Sequence, residues 1–160
     1  MSTKYTFDKN GYITPYQVHS GNIDDIRKCF VEPYNGVSTT RKMIWHKYSD
    51  YTRELYARIK IPFKQMHFGS FISKKKSPTD IDIINIIHYT KAPLVKDMQG
   101  EVIQDRYATD ALMIPIFEES HPSYKASQML LQKKITYGLF DDIKQERRSM
   151  VEVDINYETA

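Results

Sequence analysis

The chain has 160 residues, 41% of them hydrophobic and 27% charged, the ordinary range of a soluble globular protein with room for one real core. A formal net charge of +3 suits an anionic ligand such as a nucleotide and is too weak, by itself, to argue for nucleic-acid binding. With Cys29 the single cysteine, an internal disulfide and a cysteine zinc cluster are excluded, and the absence of an apolar signal core or a membrane-length run makes the cytoplasm the expected location.

In chain order, "KYTFDKNGYITPY" reads as extended segments around an Asn-Gly turn. "NIDDIRKCF" reads as a short helix capped by Asn22, with Ile23, Ile26 and Phe30 on one side. From Thr39 or Thr40 a long helix is expected to run to about Lys60, because Ile44, Tyr48, Tyr51, Leu55 and Ile59 recur at helical spacing and Pro62 follows. "KQMHFGSF" reads as a strand ending in a turn at Gly69-Ser70, and "SKKKSPT" as a polar loop. "DIDIINIIHY" has the near-continuous isoleucine of a central strand covered on both faces.

"KAPLVKDMQGEVIQDRY" reads as a loop with one short helix, and "TDALMIPIFEE" as a third strand that Pro115 moves to an edge or a bulge. "HPSYKASQMLLQKKITYGLF" forms a second long helix, expected over residues 122–139, and "SMVEVDINY" a final strand. These elements predict a single α+β domain over residues 1–160, a small mixed sheet flanked by helices.

The chemistry gathers in "FGSFISKKKSPTDIDIINII". The strand period of two sends Asp80 and Asp82 to one face, where two like charges are costly unless a hard cation such as Mg²⁺ or Mn²⁺ meets them. Asp110, at the head of the third strand, is the candidate third carboxylate of a two-metal site. Gly69, eleven residues before Asp80, allows close backbone approach to a phosphate, and the Ser70 hydroxyl can bond its oxygens. Lys74, Lys75 and Lys76 follow on the loop and, taken alone, read as solvated. With only six glycines in the chain, a P-loop or Rossmann loop is not available.

His67 and His88 flank this region and read as structural or surface residues, Cys29 as a small buried side chain, and Trp45 as core edge. His121-Pro122 reads as the start of a helix. "KQERRSM" reads as a solvated basic turn from which Arg147 and Arg148 can reach an anionic partner.

Gly-Ser, a spacer, then Asp-hydrophobic-Asp with a later third acid resembles the signature of the polymerase-β-like nucleotidyltransferase superfamily. More narrowly, "FDKNGYITP", "GSFISKKKSPTDID", "TDALMIPIFEESHPSY" and "RRSMVEVDI" resemble a family of small bacterial and phage proteins of undefined function with a minimal nucleotidyltransferase fold. That likeness covers most of the chain. It implies transfer of a nucleoside monophosphate from a triphosphate to an acceptor, which is a protein, an RNA or a small molecule. Asp80 and Asp82 would hold the metal bridging the triphosphate, and Asp110 would share a second metal and help activate the acceptor hydroxyl. Gly69 and Ser70 would bind the β,γ-phosphates, with Ser73 and Lys75 as further nucleotide-binding candidates. Larger members hold the acceptor or the base on a second helical domain, for which little room is expected here. The alternative is a catalytically silent module on the same fold that binds a nucleotide or a partner such as an antitoxin or host target. No membrane partner is expected.

Overall fold

In the computed structural model, which describes residues 4–157, the chain opens on β1 (Thr6–Phe7) and β2 (Ile13–Thr14), an antiparallel hairpin around the expected turn. β3 (Val18–Gly21) leads into α1 (Ile23–Phe30). Asn22 starts that helix by a reciprocal cap: its side chain accepts from the Asp25 N–H, and the Asp25 carboxylate accepts from its own N–H. α2 (Thr39–Ile59) ends at Lys60, whose left-handed backbone (φ 62°) turns the chain into β4 (Phe63–Phe68). β5 (Ile81–His88), α3 (Glu101–Tyr107), β6 (Thr109–Ile116), α4 (Tyr124–Gly138), the hairpin β7 (Phe140–Asp141) and β8 (Glu146–Arg147), and β9 (Met150–Ile155) complete the chain.

The main sheet has the order β3-β9-β4-β5-β6. β4 runs antiparallel to both β5 and β9, while β5/β6 and β3/β9 are parallel pairs, so the sheet is mixed and the fold is α+β as expected. β6 is an edge strand, the position that Pro115 predicts, and its register passes through Pro115 opposite Ile87 without a bulge. α4 begins two residues later than the sequence predicts. His121 and Ser123 instead form a turn, with the His121 N–H on the Glu118 carbonyl and the Ser123 N–H on His121 Nδ1.

Helices cover both faces. On one face Ile44, Tyr48, Tyr51, Leu55 and Ile59 of α2 are essentially inaccessible and pack with Ile26 and Phe30 of α1 against Ile81, Ile83, Ile87 and Val151. Each such side chain contributes about 1.5–3 kcal/mol on burial. Trp45 is buried, its ring stacked on Phe71 at 6.3 Å. On the other face, Leu131, Ile135 and Leu139 on and just beyond α4 cover Met66, Ile84, Ile114 and Met150. No helix of the described residues is long and apolar enough to cross a membrane.

A polar network lies inside the α2 layer. Tyr48 Oη donates to Gln65 Oε1 (2.5 Å), Gln65 donates to Asn85 (2.9 Å) and to Thr52 (3.2 Å), and Asn85 donates to Tyr51 Oη (3.1 Å). His67 belongs to this network, fully buried, and burial drives its pKa down to about 3, so it is neutral and structural.

Candidate metal centre

The head of β5 carries the acids because its two neighbours are in register with it there. Parallel pairing sets Asp82 beside Asp110, and antiparallel pairing sets it beside Phe68, the last residue before Gly69. Asp80 lies two residues earlier on the same face. One carboxylate oxygen from each of Asp80, Asp82 and Asp110 falls within 4.8 Å of the others, with Asp80 and Asp82 half-buried and Asp110 exposed. This is the face that α4 covers, since Phe68 and Leu112 pack with Met66 and Ile84 beneath that helix.

Three like charges at this separation repel strongly. Burial first, then the charges of Asp80 and Asp110, push the Asp82 pKa up to about 7 against a small opposing pull from Arg148. Asp110 is also raised, by burial and then by Asp80. The donor set of three hard oxygens fits Mg²⁺ or Mn²⁺, and no Cys or His side chain joins it among the described residues.

Gly69 is what lets the carboxylate sit there. Its φ of 78° and ψ of −162° lie in a region open essentially to glycine, and a Cβ built on it would stand 2.2 Å from Asp82 Oδ2. Gly69→Ala is therefore expected to cost about 1–3 kcal/mol of stability from backbone strain and to expel the Asp82 carboxylate from its place. Denaturant unfolding checks the first effect and Mn²⁺ titration the second; an unchanged variant in both would remove the glycine from the site.

The remaining sequence-derived candidates differ in what they offer. Ser70 is half-buried next to Gly69. Ser73 is buried, its hydroxyl donating to the Ser70 carbonyl (2.5 Å) and accepting from the Lys75 N–H (3.1 Å), so it shapes the turn. Lys75 is exposed, and Lys74 lies over the Phe7 ring at 4.7 Å. His88 sits at the opposite end of β5, paired with Glu118 at 2.8 Å.

Three further residues shape this end of the sheet, and the sequence reading assigned the site none of them. Gln104, on α3, donates to Asp80 Oδ2 at 2.6 Å and holds that carboxylate from below the sheet end. Arg41 is fully buried in α2 and donates to the carbonyls of Phe30, Phe71, Ser73 and Lys75, fastening the whole 71–75 turn that follows Gly69. Burial lowers its pKa to about 10, which leaves it charged at neutral pH. Arg41→Met would strand four carbonyl oxygens, and a loss of about 3 kcal/mol is expected by chemical denaturation. A variant as stable as wild type would show the turn to be held by something else.

Arg148 is the third. It lies two residues before β9, and its charge opposes the upward shift of the Asp82 pKa. Its side chain is 14% exposed and stands 3.7 Å from Asp141, a long ion pair, and its Nε is buried with no hydrogen-bond partner among the described residues. The sequence places Arg148 in a basic turn; the fold brings its charge close enough to act on Asp82.

A model of a family of unknown function (DUF6932) matches residues 5–154 of the chain. No curated protein and no solved structure matches it.

Proposed function

We propose that this chain, which belongs to that family of unknown function, is a metal-dependent nucleotidyltransferase that moves a nucleoside monophosphate from a triphosphate to an acceptor hydroxyl. The reading is carried by the convergence of Asp80, Asp82 and Asp110 on neighbouring strands, one face up, beside a turn that only glycine accommodates. The likeness to polymerase-β-like nucleotidyltransferases, in Gly69-Ser70 followed by Asp80-x-Asp82 and a later Asp110, supports the same reading.

Asp80, Asp82 and Asp110 would hold Mg²⁺ or Mn²⁺, which when bound supplies charge neutralisation for the phosphates and for the entering and leaving oxygens. The triphosphate lies toward Gly69 and Ser70, where the bare backbone allows close approach, and the positive charge of Arg148, which already acts on Asp82, favours an anion there. Asp110 accepts the proton of the acceptor hydroxyl. The acceptor oxygen bonds to the α-phosphorus, the bond from that phosphorus to the bridging oxygen breaks, and pyrophosphate leaves with the electron pair. Most of the rate comes from position and charge, so few side chains need be reactive themselves.

The test is incubation of the protein with each α-labelled nucleoside triphosphate, Mg²⁺ or Mn²⁺, and a cell extract, followed by analysis of labelled protein, RNA and small molecules. Label transferred by wild type and not by Asp82→Asn supports the proposal. Saturable triphosphate binding with no transfer to any fraction assigns the fold to nucleotide binding alone, and no binding at all overturns both.

A further inference from the structure

Beside Asp110 the acid face opens into a cavity of about 400 Å³, lined chiefly by Phe68, Ile84, Leu112, Lys134 and Tyr137 and bounded by the 99–100 turn. Asp110 lines it, whereas Asp80 and Asp82 do not. Its walls are mostly apolar. Tyr137 is 63% exposed although it faces other apolar side chains, and Phe68 and Leu112 are only half-covered. The volume suits a small organic ligand rather than a solvent channel, and a mostly apolar lining with a few polar groups is what such sites present. The two charged side chains in the wall are Asp110 at the strand head and Lys134 on α4.

We propose that this cavity is the acceptor pocket and that the acceptor is a nucleotide, its base held between Phe68, Leu112 and Tyr137, its phosphate at Lys134 and a ribose hydroxyl at Asp110. The inference rests on the nucleotidyl-transfer reading above. Two features choose the acceptor over the donor as occupant. The cavity adjoins the acid assigned to the attacking side, whereas the groups suited to a triphosphate, Gly69 and Ser70 just past the end of β4 and Arg148 just before β9, do not line it. An apolar wall with the aromatic side chains of Phe68 and Tyr137 accepts any ring, so Lys134 is what distinguishes a nucleotide from a tyrosine side chain, which has no anion to offer it. In the transfer the ribose oxygen bonds to the α-phosphorus, its proton goes to Asp110, and pyrophosphate leaves.

The experiment is calorimetry of the full chain with each of the four nucleoside monophosphates, the matching nucleosides, N-acetyltyrosinamide, and a non-hydrolysable triphosphate with Mn²⁺. Tyr137 is exposed and Lys134 half-buried on α4, so neither Tyr137→Ala nor Lys134→Glu removes a core side chain, and the unfolding midpoint of each is measured beside its binding. At least one monophosphate should bind, more tightly than its nucleoside, and each variant should weaken it about tenfold or more. Triphosphate binding with Mn²⁺ should be unchanged in both variants and lost in Asp82→Asn. If both variants weaken the triphosphate instead, the cavity holds the donor base and the acceptor assignment is overturned. If N-acetyltyrosinamide binds and the monophosphates do not, a protein acceptor replaces the nucleotide. If no monophosphate binds while the triphosphate does, the pocket inference fails and the transfer reading stands; if the triphosphate does not bind, it is the transfer reading that fails.

Discussion

Asp82→Asn is expected to stabilise the metal-free protein above neutral pH and, in the same molecule, to abolish nucleotidyl transfer. The Asp82 pKa is pushed to about 7, above its ordinary value of 3.8, by burial and by the charges of Asp80 and Asp110. A raised carboxyl holds its proton in the native state where the unfolded chain has already lost it, so the native state binds more protons between those two values. Stability is then highest at the acid side of that window and falls as pH rises through about 7, by an amount on the order of 2–4 kcal/mol. Asparagine mimics the protonated acid and carries no charge, so the variant should lack this slope and exceed wild type at about pH 8. Chemical denaturation at about pH 5 and about pH 8 reads both effects.

The functional effect has the opposite sign. On the proposed reading, removing the Asp82 carboxylate from the triad should eliminate Mn²⁺-dependent triphosphate binding and lower transfer by about a thousandfold or more, equivalent to about 4 kcal/mol of barrier. In wild type, Mn²⁺ with triphosphate should flatten the loss of stability at high pH, because the carboxylate is then compensated. A variant that is less stable than wild type at both pH values would contradict the repulsion that the packing implies. A variant that still transfers label would remove Asp82 from the chemistry.

Asp110→Asn should separate binding from attack. Asp110 is the exposed member of the triad, on the edge strand and on the cavity side, while Asp82 lies against Gly69 and neither Asp80 nor Asp82 lines the cavity. Its loss should lower transfer by about a thousandfold while triphosphate affinity stays within about threefold of wild type. Calorimetry with a non-hydrolysable triphosphate and Mn²⁺, alongside label transfer, makes the comparison. Equal losses in both would place Asp110 among the groups that hold the triphosphate, and full transfer would end its assignment to the attacking side.

The acids were legible because local rules govern them. A period of two assigns Asp80 and Asp82 to one face whatever the strand pairs with, and Asp110 stands at the head of a strand of the same kind. The Asn22 cap and the α2 stripe were legible for the same reason, since each rests on spacings of three or four residues along the chain. β3 was missed because a four-residue strand of half-buried and exposed residues carries no alternation to read. Gln104 was missed because its role depends on where a seven-residue helix docks, 24 residues away from the carboxylate it meets. Arg41 offered only a basic residue in a helix; its meaning lies in four carbonyls brought to it by other segments.

Local sequence therefore determined the main helices and the strands β4, β5, β6 and β9, that the sheet is mixed, and which three carboxylates stand at strand heads. Strand order was decided only in three dimensions. β9, the last strand, slots between β3 and β4, and Arg148, two residues before it, acts on Asp82 through its charge. The charge state of Asp82 was likewise decided there, since it depends on burial and on two neighbours, one of them on another strand. The cavity beside Asp110 exists only because α4 crosses the sheet and leaves Tyr137 and Lys134 standing over Leu112. The physical reason is common to all three. Backbone period and capping act between residues a few positions apart, whereas desolvation, repulsion and cavity shape arise from atoms that only the closed sheet brings within a few ångströms of each other.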